Sequence, residues 1–126
     1  MDQASAPMRV LVVDDNEDAA ALIAEVLRMR GHIVEVANGG PEGFAAASAH
    51  PLDVVVLDIG MPVMDGYQVA SALRAGATTR RLRLVALTAW GDSESRARAS
   101  EAGFDCHLVK PANFGALFQA VECQAI

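Results

Sequence analysis

The chain has 126 residues, room for one domain of ordinary size and no more. Hydrophobic residues make up 52% of it, which excludes a disordered chain. Its 16 acidic against 10 basic residues give a net charge of -6, which argues against nucleic acid or an anionic membrane as a direct partner, since both reward a basic face.

Residues 1–7 are small and polar and end in proline, so a loose tail is expected before a single domain over residues 8–126. Arg9 to Val13 is a short apolar run that stops abruptly at Asp14-Asp15-Asn16. Asn16 can cap a helix whose start suits Glu17 and Asp18, and Ala19, Leu22, Ile23, Val26 and Leu27 then recur at helical spacing up to Gly31. Ile33 to Ala37 reads as a second strand, and Gly40-Pro41 opens a short helix around Phe44 to Ser48. Asp53 to Asp58 is the strongest strand, apolar on both faces as a central parallel strand must be. A loop from Gly60 to Gly66 leads into a helix through Val69 and Leu73 that stops near Gly76. Leu82 to Thr88 is the fourth strand, followed by a helix capped by Asp92 or Ser93 that ends near Gly103. That helix is rich in Ser, Ala, Arg and Glu, so its apolar face is weak. His107 to Val109 is a fifth strand ended by Pro111, and Phe114, Leu117, Phe118 and Val121 mark the last helix.

Five strand–helix units in alternation predict an α/β fold: a doubly wound, five-stranded parallel sheet with helices on both faces. Cys106 and Cys123 form no paired motif, which fits a reducing compartment and excludes a disulfide framework or a zinc knuckle. No stretch of about 18 apolar residues is present, so no membrane span is expected. The N-terminus lacks the basic start and apolar core of a signal peptide. A cytoplasmic location is the expectation.

In such a sheet, ligands bind beyond the carboxyl ends of the strands. Asp14 and Asp15 follow the first strand, Asp58 ends the third, Thr88 and Ala89 end the fourth, and Lys110 with Pro111 follows the fifth. Three carboxylates, one hydroxyl and the only lysine of the chain therefore converge on one edge. At about 4 Å each carboxylate pair costs roughly 4 kcal/mol at an effective dielectric near 20, so the cluster calls for positive charge. Lys110 supplies one such charge, and a divalent cation would supply two more. An all-oxygen site favours magnesium or manganese over zinc.

These residues resemble the receiver domain of two-component response regulators, over about residues 8–122. The likeness rests on Asp14-Asp15, on the run Leu57-Asp58-Ile59-Gly60-Met61-Pro62-Val63-Met64-Asp65-Gly66, on Thr88-Ala89 and on Lys110-Pro111. It implies a flavodoxin-like sheet in the order 2-1-3-4-5. It implies that Asp58 accepts a phosphoryl group from a histidine kinase or a histidine phosphotransfer protein. Mg2+, with Mn2+ as a possible substitute, would be bound by Asp15, Asp58 and the Gly60 carbonyl, and by Asp14 through water. Lys110, the Thr88 hydroxyl and the Ala89 N–H would hold the phosphoryl oxygens. His107 stands where the family usually has Tyr or Phe, and would move with Thr88. Trp90, two residues past Thr88, stands at the rim of the site, where it would shield the phosphoryl group from water and slow its loss.

Pro62, Asp65, Gly66 and Pro111 are expected to shape loops, with Asp65-Gly66 as a turn and helix start whose glycine tolerates an unusual φ. Met61 and Met64 are expected to pack the loop, His32 and His50 to lie in exposed loops, and both cysteines to be inert. The resemblance implies a phosphorylation substrate with slow self-catalysed loss of the group, not a turnover enzyme. Its partner surface would be the fourth helix, fifth strand and fifth helix, read by an unidentified protein effector. The chain would act alone or as a piece of a hybrid kinase, as a monomer or weak homodimer.

Three rival readings remain. A degenerate receiver would bind proteins without phosphorylation. An aspartyl phosphatase of the haloacid dehalogenase type would need Asp-x-Asp after the first strand, where Asn16 stands in the third place. A flavodoxin would need a Ser/Thr/Gly-rich phosphate loop there instead of Asp14-Asp15-Asn16-Glu17.

Overall fold

A computed structural model of the chain describes residues 7–111 and 113–122. Residues 1–6 of the expected tail, and Cys123, lie outside the described residues. The elements run β1 Arg9–Val13, α1 Glu17–Met29, β2 Ile33–Ala37, α2 Gly40–Ala49, β3 Val54–Asp58, α3 Gly66–Ala75, β4 Arg83–Thr88, α4 Ser93–Ala102, β5 Cys106–Val109 and α5 Phe114–Glu122. All pairings are parallel, in the order β2-β1-β3-β4-β5. β3 lies at the centre, and every one of its residues is buried, as its uninterrupted apolar run requires.

Alternation along the strands splits the core into two layers. Leu11, Val13, Val55, Leu57, Leu84 and Ala86 face the layer shared with α2, α3 and α4. Val10, Val12, Val54, Val56, Val85 and Leu87 face α1 and α5. The α1 cap is as expected, with the Asn16 side chain accepting from the Ala19 N–H at 3.0 Å. α4 buries only Ala99, which agrees with its polar sequence. No helix among the described residues is long and apolar enough to cross a membrane.

Two expectations are corrected. His32 is buried, not exposed in a loop. Its Nδ1 accepts the Met8 N–H at 3.1 Å, so Nε2 carries the proton and donates to Glu122 at 2.8 Å. Arg30 also donates to Glu122 and stacks over the Phe118 ring, so this cluster fastens the end of α5 to the turn after α1. The Arg30 hydrogen bond holds the Glu122 carboxyl below its usual range against its burial, with help from His32. Gly66 is the second correction, because its φ is not in the left-handed region. A Cβ there would lie 2.7 Å from the Asp58 carbonyl oxygen and from the Ile59 Cα, so close approach to the end of β3 is what demands glycine. His50 is exposed as expected and pairs with Glu35 at 2.9 Å.

The left-handed residue of this loop is Val63, with φ of 71° and 92% exposure. A β-branched residue there costs about 1–2 kcal/mol, and nothing packs on the side chain in return. Val63→Asn is therefore expected to raise the unfolding free energy by about 1 kcal/mol, because asparagine tolerates this conformation. Urea unfolding of the two proteins checks this, and an unchanged midpoint refutes it.

Candidate functional site

The strand ends aim the candidate residues by continuing the ladders one bond further. The Asp14 N–H donates to Ala37 O at 3.1 Å, Ile59 N–H to Leu87 O at 3.0 Å, and Lys110 N–H to Thr88 O at 2.7 Å. Residues at the carboxyl edges of β1, β3, β4 and β5 are thereby held in register with one another. One carboxylate oxygen from each of Asp14, Asp15 and Asp58 lies within 4.8 Å of the others. Asp14 and Asp58 are buried, while Asp15 is exposed at the mouth.

Lys110 closes the cluster. Its Nζ lies 2.9 Å from Asp58 Oδ1 and 3.4 Å from Asp14 Oδ2. The remaining Asp14 oxygen, Oδ1, accepts the Asn16 N–H at 2.9 Å, and Asn38 Nδ2 donates to the Asp14 carbonyl. Burial raises the pKa of Asp58, with Asp14 and Asp15 adding to the rise and Lys110 opposing it. Burial pulls the Lys110 ammonium down, but its hydrogen bond to Asp58 and the charges of Asp58 and Asp14 outweigh this and leave its pKa raised. The site thus holds more negative charge than one lysine neutralises. All of its nearby acidic donors are hard oxygens, the donor set that suits Mg2+ or Mn2+.

Thr88 is buried, and its Oγ1 accepts the Trp90 N–H at 3.1 Å. Ala89 follows it at the exposed edge. The Trp90 indole faces solvent, with the residue 59% exposed, so its tie to the site in this state runs through its backbone. Gly60 is exposed beside Asp58, and the Lys110–Pro111 peptide bond is cis. Asp65 caps α3, accepting from the Gln68 N–H while the Gln68 side chain accepts from the Asp65 N–H. Met61 is buried and Met64 packs against the core, so both serve the loop as expected. Pro62 is exposed on the same loop.

His107 stands apart from the acidic cluster, on β5. Its ring nitrogens are buried and, among the described residues, have no hydrogen-bonding partner. Burial and the nearby Arg96 lower its pKa, against the opposing pull of Asp92. Sequence reasoning missed Arg74, which bridges four segments far from the acidic edge. A lone arginine in the last turn of a helix carries no sequence signal for that role.

A model of the response regulator receiver domain matches residues 10–122. The transcriptional regulatory protein PrrA of Mycobacterium tuberculosis is 40% identical over 111 residues, which are 88% of this chain and 47% of that protein. This chain therefore spans less than half of that relative. The chemotaxis protein CheY4 of Vibrio cholerae superposes with a TM-score of 0.85 at 30% identity, over 92% of this chain and 99% of that one. A response regulator of Burkholderia pseudomallei, solved with a phosphorylated aspartic acid, a calcium ion and citrate, gives 0.83 at 27% identity, over 92% of this chain and 67% of that one. The strand order, the family match and the relatives agree, and the chain belongs to the response regulator receiver domain family.

Proposed function

We propose that this chain is a phosphoacceptor in two-component signalling, with Asp58 as the residue modified. The observation that carries the reading is the buried Asp58 carboxylate, paired at 2.9 Å with Lys110 and crowded by Asp14 and Asp15. An Asp58 oxygen attacks the phosphorus of a phosphohistidine on a histidine kinase or histidine phosphotransfer protein. The P–O bond forms as the P–N bond breaks, and the leaving imidazole nitrogen keeps the electron pair and takes up a proton. Asp15, Asp58 and the Gly60 carbonyl, with Asp14 through water, are the groups that would hold Mg2+ or Mn2+. When bound, that ion neutralises charge spreading over the transferring group. Lys110 follows the charge from the carboxylate to a phosphoryl oxygen. Thr88 donates its hydroxyl, and Ala89 its N–H, to the others.

The acyl phosphate is then lost slowly to water, so the chain is a substrate with weak self-catalysis. An effector protein reads the change at the face made by α4, β5 and α5. The net charge of -6 gives no support to direct DNA contact.

Acetyl phosphate with Mg2+, read by intact mass, tests the reading. One phosphoryl adduct that requires the metal and disappears in Asp58→Asn supports it. No adduct, from this donor or from a panel of histidine kinases, leaves the phosphorylation-independent binding module. Asp58→Asn is also expected to melt at a higher temperature near pH 7. A carboxyl whose pKa is raised by folding loses stability for the fold as pH climbs through its unfolded and then its folded value. The gain from Asp58→Asn is therefore complete above the folded value of the Asp58 carboxyl and vanishes on acidification, which calorimetry at several pH values measures.

A further inference from the structure

The carboxylates of the acidic edge are not held alike. Asp58 and Asp14 are buried and share Lys110, at 2.9 and 3.4 Å. Asp15 is exposed, and among the described residues no side chain donates to its carboxylate. Its direction is therefore set by its backbone. A peptide group is planar, so the Cα–Cβ bond of Asp15 is aimed once the two peptide planes that flank it are fixed. Each plane is fixed by a side chain. After Asp15, the Asn16 N–H donates to Asp14 Oδ1 at 2.9 Å. Before Asp15, the Asp14 carbonyl accepts from Asn38 Nδ2 at 3.0 Å.

Asn38 is the first residue past β2, and the Asp14 N–H donates to Ala37 O at 3.1 Å. The end of β2 thus grips Asp14 at both its N–H and its C=O. The first bond continues the sheet ladder, and any residue at position 37 would supply it. The second needs a side-chain donor of this reach. An aspartate there could accept but not donate, and would add a further carboxylate to an edge already short of positive charge.

We propose that Asn38 is a positioning residue for the divalent cation of the acceptor site: it acts through the Asp14–Asp15 peptide to aim the Asp15 carboxylate. The inference rests on the reading of Asp15 as a metal ligand. Asn38 is neutral, so removing its amide leaves the charge of the cluster unchanged and alters aim alone. Asp14 and Asp58 keep their contacts with Lys110. The peptide before Asp15 turns more freely, and binding the ion must order it again.

The test measures Mn2+ binding to the full chain from the electron paramagnetic resonance signal of the free ion. Wild type, Asn38→Leu, Asn38→Ala and Asp15→Asn are compared. Asn38→Leu removes the donor at nearly constant size, and position 38 is exposed, so the fold tolerates it. Both Asn38 variants are expected to bind Mn2+ about tenfold more weakly, the lower end of the range for losing a group that orients a metal ligand. The Mg2+ concentration that half-saturates adduct formation from acetyl phosphate is expected to rise by a similar factor, with most of the rate recovered at saturating Mg2+. A residue that merely fastened strand ends would lower the urea midpoint and move neither metal reading. Mn2+ affinity of Asn38→Leu within about twofold of wild type overturns the inference, and loss of the ion in Asp15→Asn then leaves the Asp15 site standing. A wild type that binds no Mn2+, or an Asp15→Asn variant that binds it as wild type does, overturns the reading of Asp15 and the inference with it.

Discussion

Lys110→Met is expected to slow phosphoryl transfer to Asp58 by about 10²–10³-fold, the loss typical of removing one preorganised electrostatic partner of a reacting group. Lys110 Nζ lies 2.9 Å from Asp58 and 3.4 Å from Asp14, so on the proposed reading its charge would meet the arriving phosphoryl oxygens. Without it, nothing opposes burial and the neighbouring acids, which push the Asp58 carboxyl further up. Stability falls as well. A lysine whose pKa is raised by folding contributes stability that is complete below its unfolded value and is lost only as pH rises through its folded value. At pH 7 the contribution is present in full, so its removal lowers the urea midpoint. Lys110→Arg keeps the charge but presents a planar fork in place of a compact ammonium, and is expected to recover stability more fully than rate. Adduct formation from acetyl phosphate, timed by intact mass, measures the rate. A methionine variant that reacts within about tenfold of wild type, a barrier change near 1.4 kcal/mol, removes Lys110 from the mechanism.

The architecture was legible because each strand carries its own mark. The run from Val54 to Leu57 is apolar at every position, and burial on both faces is what the fold makes of it. The candidate site was legible for a related reason. Asp14, Asp58, Thr88 and Lys110 each break an apolar strand at its carboxyl end, and parallel strands bring those ends to one edge.

What escaped reading depends on partners distant along the chain. His32 looks like a loop residue beside Gly31, yet it is fixed by Met8, 24 residues earlier, and by Glu122, 90 residues later. No local period encodes such a contact. Gly66 was attributed to backbone freedom, whereas its requirement is the closeness of the β3 end. The buried ring nitrogens of His107, which have no partner among the described residues, were equally invisible.

Arg74 is the extreme case of this, and Arg74→Met is expected to lower the unfolding free energy by about 2 kcal/mol, since the part-buried carbonyls of Gly103 and Leu82, stripped of their donor, cost about 1–3 kcal/mol each at full burial. Its guanidinium donates twice to the Gly103 carbonyl, at 2.9 and 2.6 Å. It also donates to the carbonyls of Arg80 and Leu82 and to the Asp105 carboxylate. One side chain on α3 therefore ties down the end of α4, the entry to β4 and the entry to β5. Asp105 is itself bound by the Leu84 N–H, which couples the clasp to the sheet. The Asp105 pair is largely exposed and is discounted, so the expected loss rests on the carbonyls.

Methionine preserves the stem that runs under Gly103, where a Cβ would lie 2.6 Å from Arg74 Cγ, so the substitution isolates the guanidinium. Arg74→Lys keeps a charge but reaches fewer acceptors and is expected to fall between. Domains of this size are stable by about 5–15 kcal/mol, so Arg74→Met still folds in the cold, and urea unfolding there gives the difference. Hydrogen exchange locates it: α4, which buries a single alanine and relies on this clasp at its end, should lose protection before α1 or β3. An unchanged urea midpoint, or exchange that rises evenly over the molecule, refutes the clasp.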